Sequence, residues 1–190
     1  MPNCKSWAKS VRDILQSLGF YEVWLFQTVG DIDIFVCELK QRLQDVYVQN
    51  WFSEINNSSR AKSYVLFANF KLQPYLCDVN IVKFRKALTR LRLSSHRLEI
   101  EAGRWHKPES IPVNERKCQI CHVLEDEFHF LLECSLYNDL RKQYISKYYW
   151  NRPNIPKFVE LIASTSKSTC RKLSMYVHKA FEIRNTFVYI

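Results

Sequence analysis

The chain has 190 residues, 28 Lys and Arg against 19 Asp and Glu for a net charge of +9, and 7 cysteines. Its 47% hydrophobic and 14% aromatic content supplies a packed core and speaks against intrinsic disorder, while 3 glycines are too few for a Gly-rich phosphate loop, a doubly wound nucleotide fold or a propeller. Short apolar runs and a polar stretch over Met1–Ser10 argue against a membrane span and a signal peptide, and the odd cysteine count points to a reducing, intracellular compartment, nuclear or cytoplasmic.

Trp7, Val11, Ile14, Leu15 and Leu18 recur at helical spacing, which predicts a helix near 4–18 stopped by Gly19. The aromatic run 20–29 fits more than one state. Asp31 or Asp33 is a cap candidate for a long helix carrying Phe35, Leu39, Leu43, Val46 and Tyr47, about six turns or one with a break, ending near Asn56-Asn57. A short helix is expected over 64–70. Another, capped by Asp78, should reach Leu93, with Phe84, Leu88 and Leu91 facing the core. Residues 94–117, with Gly103, Pro108 and Pro112, read as a turn-rich connection. Ser135 should cap a helix over 136–149. Asn154 and Pro156 open a short one, and Ser166 or Ser168 opens the last, with Leu173, Tyr176, Val177, Ala180 and Phe181 as its stripe. The expected architecture is mainly α: a helical, bundle-like domain with a small CCHC zinc-knuckle insert, in segments 1–78, 79–150 and 151–190.

Charge is uneven along the chain. Residues 1–50 carry −1, 51–112 carry +6, 113–140 carry −4 and 141–190 carry +8. The acidic segment holds Cys118-Gln119-Ile120-Cys121, then His129 and Cys134, a C-x2-C-x7-H-x4-C spacing. Zinc takes Cys and His in a tetrahedron, and a C-x2-C turn aims two thiolates at one ion. The bland alternative is three buried free cysteines and a satisfied histidine. His122 competes with His129 as a ligand, but it adjoins Cys121 and has difficulty reaching the same ion. Four filled positions leave none for water, so one structural zinc per chain is expected. Glu125, Asp126, Glu127 and Glu133 are candidate acceptors for the ligand ring N–H. Cys4, Cys37, Cys77 and Cys170 read as core packing.

Ala87-Leu88-Thr89-Arg90-Leu91-Arg92, Ser94-Ser95-His96 and Gly103-Arg104 precede this cluster. Glu125-Asp126-Glu127-Phe128-His129-Phe130-Leu131-Leu132-Glu133-Cys134, Tyr137 and Leu140-Arg141 complete it. This order resembles the zinc-binding region at the C-terminal end of non-LTR (LINE-like) retrotransposon reverse transcriptases, over about residues 60–150 and on through Tyr148–Asn154. The resemblance implies a segment that holds RNA or DNA for a polymerase, with Cys118, Cys121, His129 and Cys134 as ligands. The polymerase part of the same element is then a possible partner. The polymerase's aspartates are missing: there is no Asp-Asp pair, and Asp31-Ile32-Asp33 looks like a helix start. The expectation is therefore a non-enzymatic piece of such an element, a fragment, decayed copy or reused domain.

Lys83, Arg85, Lys86, Arg90, Arg92 and Arg97 crowd into 15 positions on and just after the helix expected to reach Leu93, and Arg104 and Lys107 extend the run. Such cations neutralise phosphates without reading sequence, although a solvated helix face has the same composition. Trp105 suits stacking on an unpaired base or a partly buried anchor. The tail interleaves Arg141, Lys142 and Lys147 with Tyr144, Tyr148, Tyr149 and Trp150, a weaker version of the same pattern. The expected function is a zinc-stabilised module for RNA or DNA, with no membrane and no small-molecule substrate. The alternative is a zinc-stapled protein-interaction module whose acidic insert docks a basic partner. No nucleophile–base pair or open metal site is legible.

Overall fold

Helical periodicity in the sequence is matched by a mainly α structure, 66% helical with almost no strand. The computed structural model describes residues 7–188. Two units form, Met1–Asn57 and Ser58–Ile190. No helix among the described residues is long and apolar enough to cross a membrane.

The first unit holds α1 (Trp7–Ser17), α2 (Tyr21–Phe26) and α3 (Ile32–Asn57). Gly19, at φ +84°, ends α1 as the sequence predicts. The amide of Phe20 donates to Leu15 O and that of Gly19 to Gln16 O, at 2.8 and 3.2 Å, a Schellman pair that satisfies the last carbonyls. The ambiguous aromatic run becomes α2. Asp31 is the cap of α3, since its Oδ1 accepts from Ile34 N at 3.0 Å. α3 runs 26 residues without a break. Leu18 is the one buried side chain of this unit among the described residues, and Leu43, Tyr47 and Phe52 stay exposed.

The second unit contains α4 (Lys62–Val65), α5 (Tyr75–Asp78), α6 (Val82–Arg92), α7 (Glu99–Ala102), α8 (Asn138–Tyr144), α9 (Lys147–Trp150), α10 (Ile155–Ile162) and α11 (Lys167–Val188). Short 3-10 turns lie at Val113–Glu115 and Ser135–Tyr137, and a π-helical turn at His129–Glu133. Helix α11 is the spine. Cys170, Leu173, Tyr176, Val177 and Ala180 are buried at helical spacing and pack against α5, α6 and α8. Phe130 stacks on Phe181 with centroids 4.7 Å apart and meets Tyr137 edge-on at 5.0 Å. Tyr176 Oη donates to Phe130 O at 2.8 Å, which satisfies a hydroxyl buried in that cluster. One core draws on residues from Phe67 to Ala180, so the boundaries expected at 78/79 and 150/151 fall inside a single unit.

Several element boundaries differ from expectation. The helix expected over 64–70 is α4, shorter and earlier. Asp78 does not cap α6: it ends α5, and α6 starts at Val82 with no side-chain cap. The helix over 136–149 is broken into α8 and α9 by the extended Ile145. Residues 94–117 are no loose connection. Leu98, Glu101 and Arg116 are buried there, and Gly103 lies in the turn that closes α7, at φ −62°. A Cβ on Gly103 would stand 2.8 Å from Arg116 Cγ, so glycine is required by close approach. The start of α10 follows prediction, with Asn154 Oδ1 accepting from Lys157 N at 3.0 Å and proline in the first turn. Core packing holds for Cys170 alone among the scattered cysteines: Cys37 and Cys77 are exposed, and Cys4 lies outside the described residues.

Candidate metal centre and basic groove

The first pair of cysteines sits on a tight loop. Lys117 and Leu124 form an antiparallel bridge. Inside it Cys118 N donates to Val123 O at 2.8 Å and His122 N to Cys118 O at 2.9 Å. His122 closes the loop in the left-handed region at φ +58°. Arg116 anchors the chain entering this loop, donating from Nε to Ile111 O and from Nη1 to Ile100 O, both at 2.8 Å.

The second pair comes from the π-turn. Asp126 Oδ1 accepts from His129 N at 2.8 Å and starts the turn as a cap. Cys134 N then donates to His129 O at 2.8 Å, five residues back, which brings both side chains to one side. Arg141, assigned from the sequence to a basic tail patch, is buried instead. It donates to Leu131 O at 2.9 Å, Cys134 O at 2.8 Å and Asn138 Oδ1 at 2.7 Å, capping the carbonyls that the turn leaves open.

Cys118, Cys121, His129 and Cys134 thus converge, with all four ligand atoms within 4.8 Å of one another. The Cys134 sulfur lies 3.9 Å from Cys118 Sγ and 3.8 Å from Cys121 Sγ. Bonds of about 2.3 Å to a tetrahedral ion put sulfurs about 3.8 Å apart. A disulfide needs about 2.05 Å, and all three thiols are free. Both ring nitrogens of the buried His129 lack a hydrogen-bond partner. Nδ1 approaches Glu133 Oε2 only to 3.5 Å, beyond a normal hydrogen bond. A buried, unsatisfied imidazole beside three thiols is costly unless something binds it, so the donor set fits a metal ion. Burial, with the neighbouring Cys118 and Cys121 sulfurs, pushes the Cys134 thiol well up. At Cys121 burial also pushes up, but hydrogen bonds with Ser135, Cys134 and Cys118 together outweigh it and the thiol is lowered. His122 is exposed and outside the cluster.

The acidic residues do other work than expected. Only Glu133 approaches the His129 ring. Glu125 takes a bidentate pair from Arg184, at 2.9 and 2.7 Å. Glu127 accepts from Ser63 Oγ at 2.8 Å and Ser94 Oγ at 2.7 Å, and contacts His96 Nε2 at 2.9 Å. Burial pushes the Glu127 carboxyl up, but His96 and Ser94 overcome it and hold it at about 2.

The basic residues separate into two groups. Arg92 is buried between the Phe67 and Tyr75 rings, 4.8 and 4.9 Å from their centroids, and donates to Ile162 O and Gln73 Oε1. Its place four residues after Leu88, on the core stripe, is a signal that charge counting passes over. Arg85 donates to Leu76 O and Val79 O, both at 3.2 Å, and Arg104 holds Glu101 at 3.0 Å and the Ser59 carbonyl. These three cations are engaged within the fold. Lys83, Lys86, Arg90 and Arg97 line a groove of about 680 Å³, together with Arg60 and Trp105. Lys86 and Arg90 are exposed and make no ion pair among the described residues. Arg60 comes from far along the chain and escapes a sequence reading centred on the helix. Lys107 is exposed and lies outside the groove lining. In the tail, Tyr148 and Tyr149 donate to Glu160, each at 3.2 Å, and Trp150 Nε1 to Ile145 O at 3.1 Å, so these rings brace α9.

Comparison with known protein families, with characterised proteins and with solved structures finds no match for this chain.

Proposed function

We propose that this chain is a non-catalytic nucleic-acid-binding module, held together by one structural zinc and working in a reducing compartment. The observation that carries the reading is the groove in which five cations, Arg60, Lys83, Lys86, Arg90 and Arg97, face one concave surface beside an exposed tryptophan. Polyanions release counterions on such a surface, so binding falls steeply with salt. Three thiols and one imidazole make zinc the favoured occupant of the metal centre, since soft thiolates select it and the set is closed to water. Such a site supplies folding energy and no chemistry. The order of basic helix and CCHC cluster supports descent from the C-terminal part of a retrotransposon reverse transcriptase. The protein-interaction alternative loses weight because Glu125 and Glu127, half of the four acids in 125–133, are already paired internally.

Two measurements test this. Metal analysis should give one zinc per chain, released by chelation with loss of helical signal, and Cys134→Ala should abolish it. Unchanged metal content in Cys134→Ala refutes the site. Binding of RNA and DNA oligomers across a salt series should show log affinity falling linearly with log salt. No salt-sensitive binding even at low salt refutes the function.

A further inference from the structure

We propose that this groove takes single-stranded nucleic acid in preference to duplex, with one base stacked on Trp105 and the backbone following the α6 cations; this rests on the reading of the groove as a nucleic-acid site. Trp105 is 67% exposed, a large indole left in water at the groove. It is held there. Its amide donates to Ala102 O at 3.0 Å just past α7. The Arg60 guanidinium lies 5.8 Å from its ring centroid and is itself drawn to Glu101 Oε2 at 3.7 Å. An exposed aromatic face flanked by a guanidinium is a stacking platform, and any unpaired base has the π-face to use it.

The cations supply the other half. Lys83, Lys86 and Arg90 recur at i, i+3 and i+7, so they form one row about two turns long on the solvent face of α6. Leu88 and Leu91 bury the opposite face, which fixes the row against the core. At about 680 Å³ the groove has the size of pockets that enclose a small ligand, which suits a nucleotide or two of one strand. A duplex keeps its base faces stacked inside, so it offers phosphates to the row but nothing to Trp105.

Fluorescence anisotropy on the zinc-loaded full chain tests this, using labelled oligouridine, oligothymidine and a mixed-sequence duplex of equal length. The single strands should bind more tightly than the duplex. Trp105→Ala should lower single-strand affinity about fivefold to a hundredfold, leaving duplex affinity and the salt slope unchanged, while Trp105→Phe recovers most of the loss. Lys86→Ala with Arg90→Ala should reduce the single-strand salt slope by about 1.4, two phosphates' worth. Trp105 is exposed, so an unchanged thermal melt checks that its variants fold. Equal affinity for duplex, or a silent Trp105→Ala, overturns the stacking inference. If the lysine–arginine variant still lowers the slope in that case, the groove remains a nucleic-acid site. If no oligomer binds in a salt-sensitive way, both readings fall.

Discussion

Replacing Arg184 by methionine should cost the second unit about 3–5 kcal/mol. Arg184 is 2% exposed and forms two bonds to Glu125, at 2.9 and 2.7 Å, and one to Glu99 at 3.1 Å. Burial opposes its charge, but Glu125 and then Glu99 overcome this and raise its pKa above the usual arginine range. Methionine fills similar volume but leaves the Glu125 carboxylate, 6% exposed at the side chain, with only the Glu99 amide at 2.7 Å to compensate it. The penalty is therefore that of a stranded buried charge, not of a lost surface ion pair. A domain of this size shifts its midpoint roughly 4 °C per kcal/mol, so Tm should fall by about 12–20 °C. Thermal and urea denaturation of the metal-loaded protein, followed by circular dichroism, reads this directly. Glu125 lies between bridged Leu124 and capping Asp126, so release of any bound metal ion to a chelator should also quicken. Adding Glu125→Leu removes the stranded charge and should recover more than half of the loss. A single variant that loses under about 1 kcal/mol, or a double variant no better than the single, refutes the stranded-charge account.

Gly103→Ala should destabilise the unit by about 1–3 kcal/mol in urea titration, because the new Cβ meets an Arg116 stem that two carbonyls hold in place. His122→Gly should keep one metal per chain and gain up to about 1 kcal/mol, since glycine relieves the positive φ; loss of metal would make His122 a ligand after all. Glu127 has a depressed folded pKa, so its contribution is complete above about 4.5 and is lost as pH falls toward about 2. Glu127→Gln should therefore be less stable than wild type at neutral pH by on the order of 3 kcal/mol, with the gap closing across that acid window. A gap that stays constant with pH contradicts the assignment. Arg92→Met should weaken folding by about 1–3 kcal/mol while leaving the salt slope of oligomer binding unaltered, which separates it from Lys86 and Arg90.

Helix positions and the metal set were legible because each follows from local spacing. Asp31, Gly19 and Asn154 announce helix ends by side-chain chemistry, and C-x2-C with a later His and Cys announces convergence. What escaped was tertiary. Arg85, Arg92, Arg141 and Arg184 look like surface charge in a count, yet each caps carbonyls or meets a carboxylate brought from afar. Ile145 breaks a predicted helix where α8 and α9 must pack separately. Arg60 reaches the groove across a sequence gap that no periodicity spans. Gly103 is a turn residue as expected, but its second constraint, the Arg116 side chain, lies thirteen positions on.

The π-turn at His129–Glu133 makes the metal centre a ruler of chain length. Phe130, Leu131 and Leu132 of the turn are buried, but substituting Glu133, its one exposed residue, leaves the five-residue hydrogen bond from Cys134 to His129 intact. Deleting one residue between them does not: it swings the last sulfur about 100° around the turn, out of reach of its three companions. Within that turn composition can therefore vary only at Glu133, and a single in-frame deletion there would pull Cys134 out of the four-residue cluster.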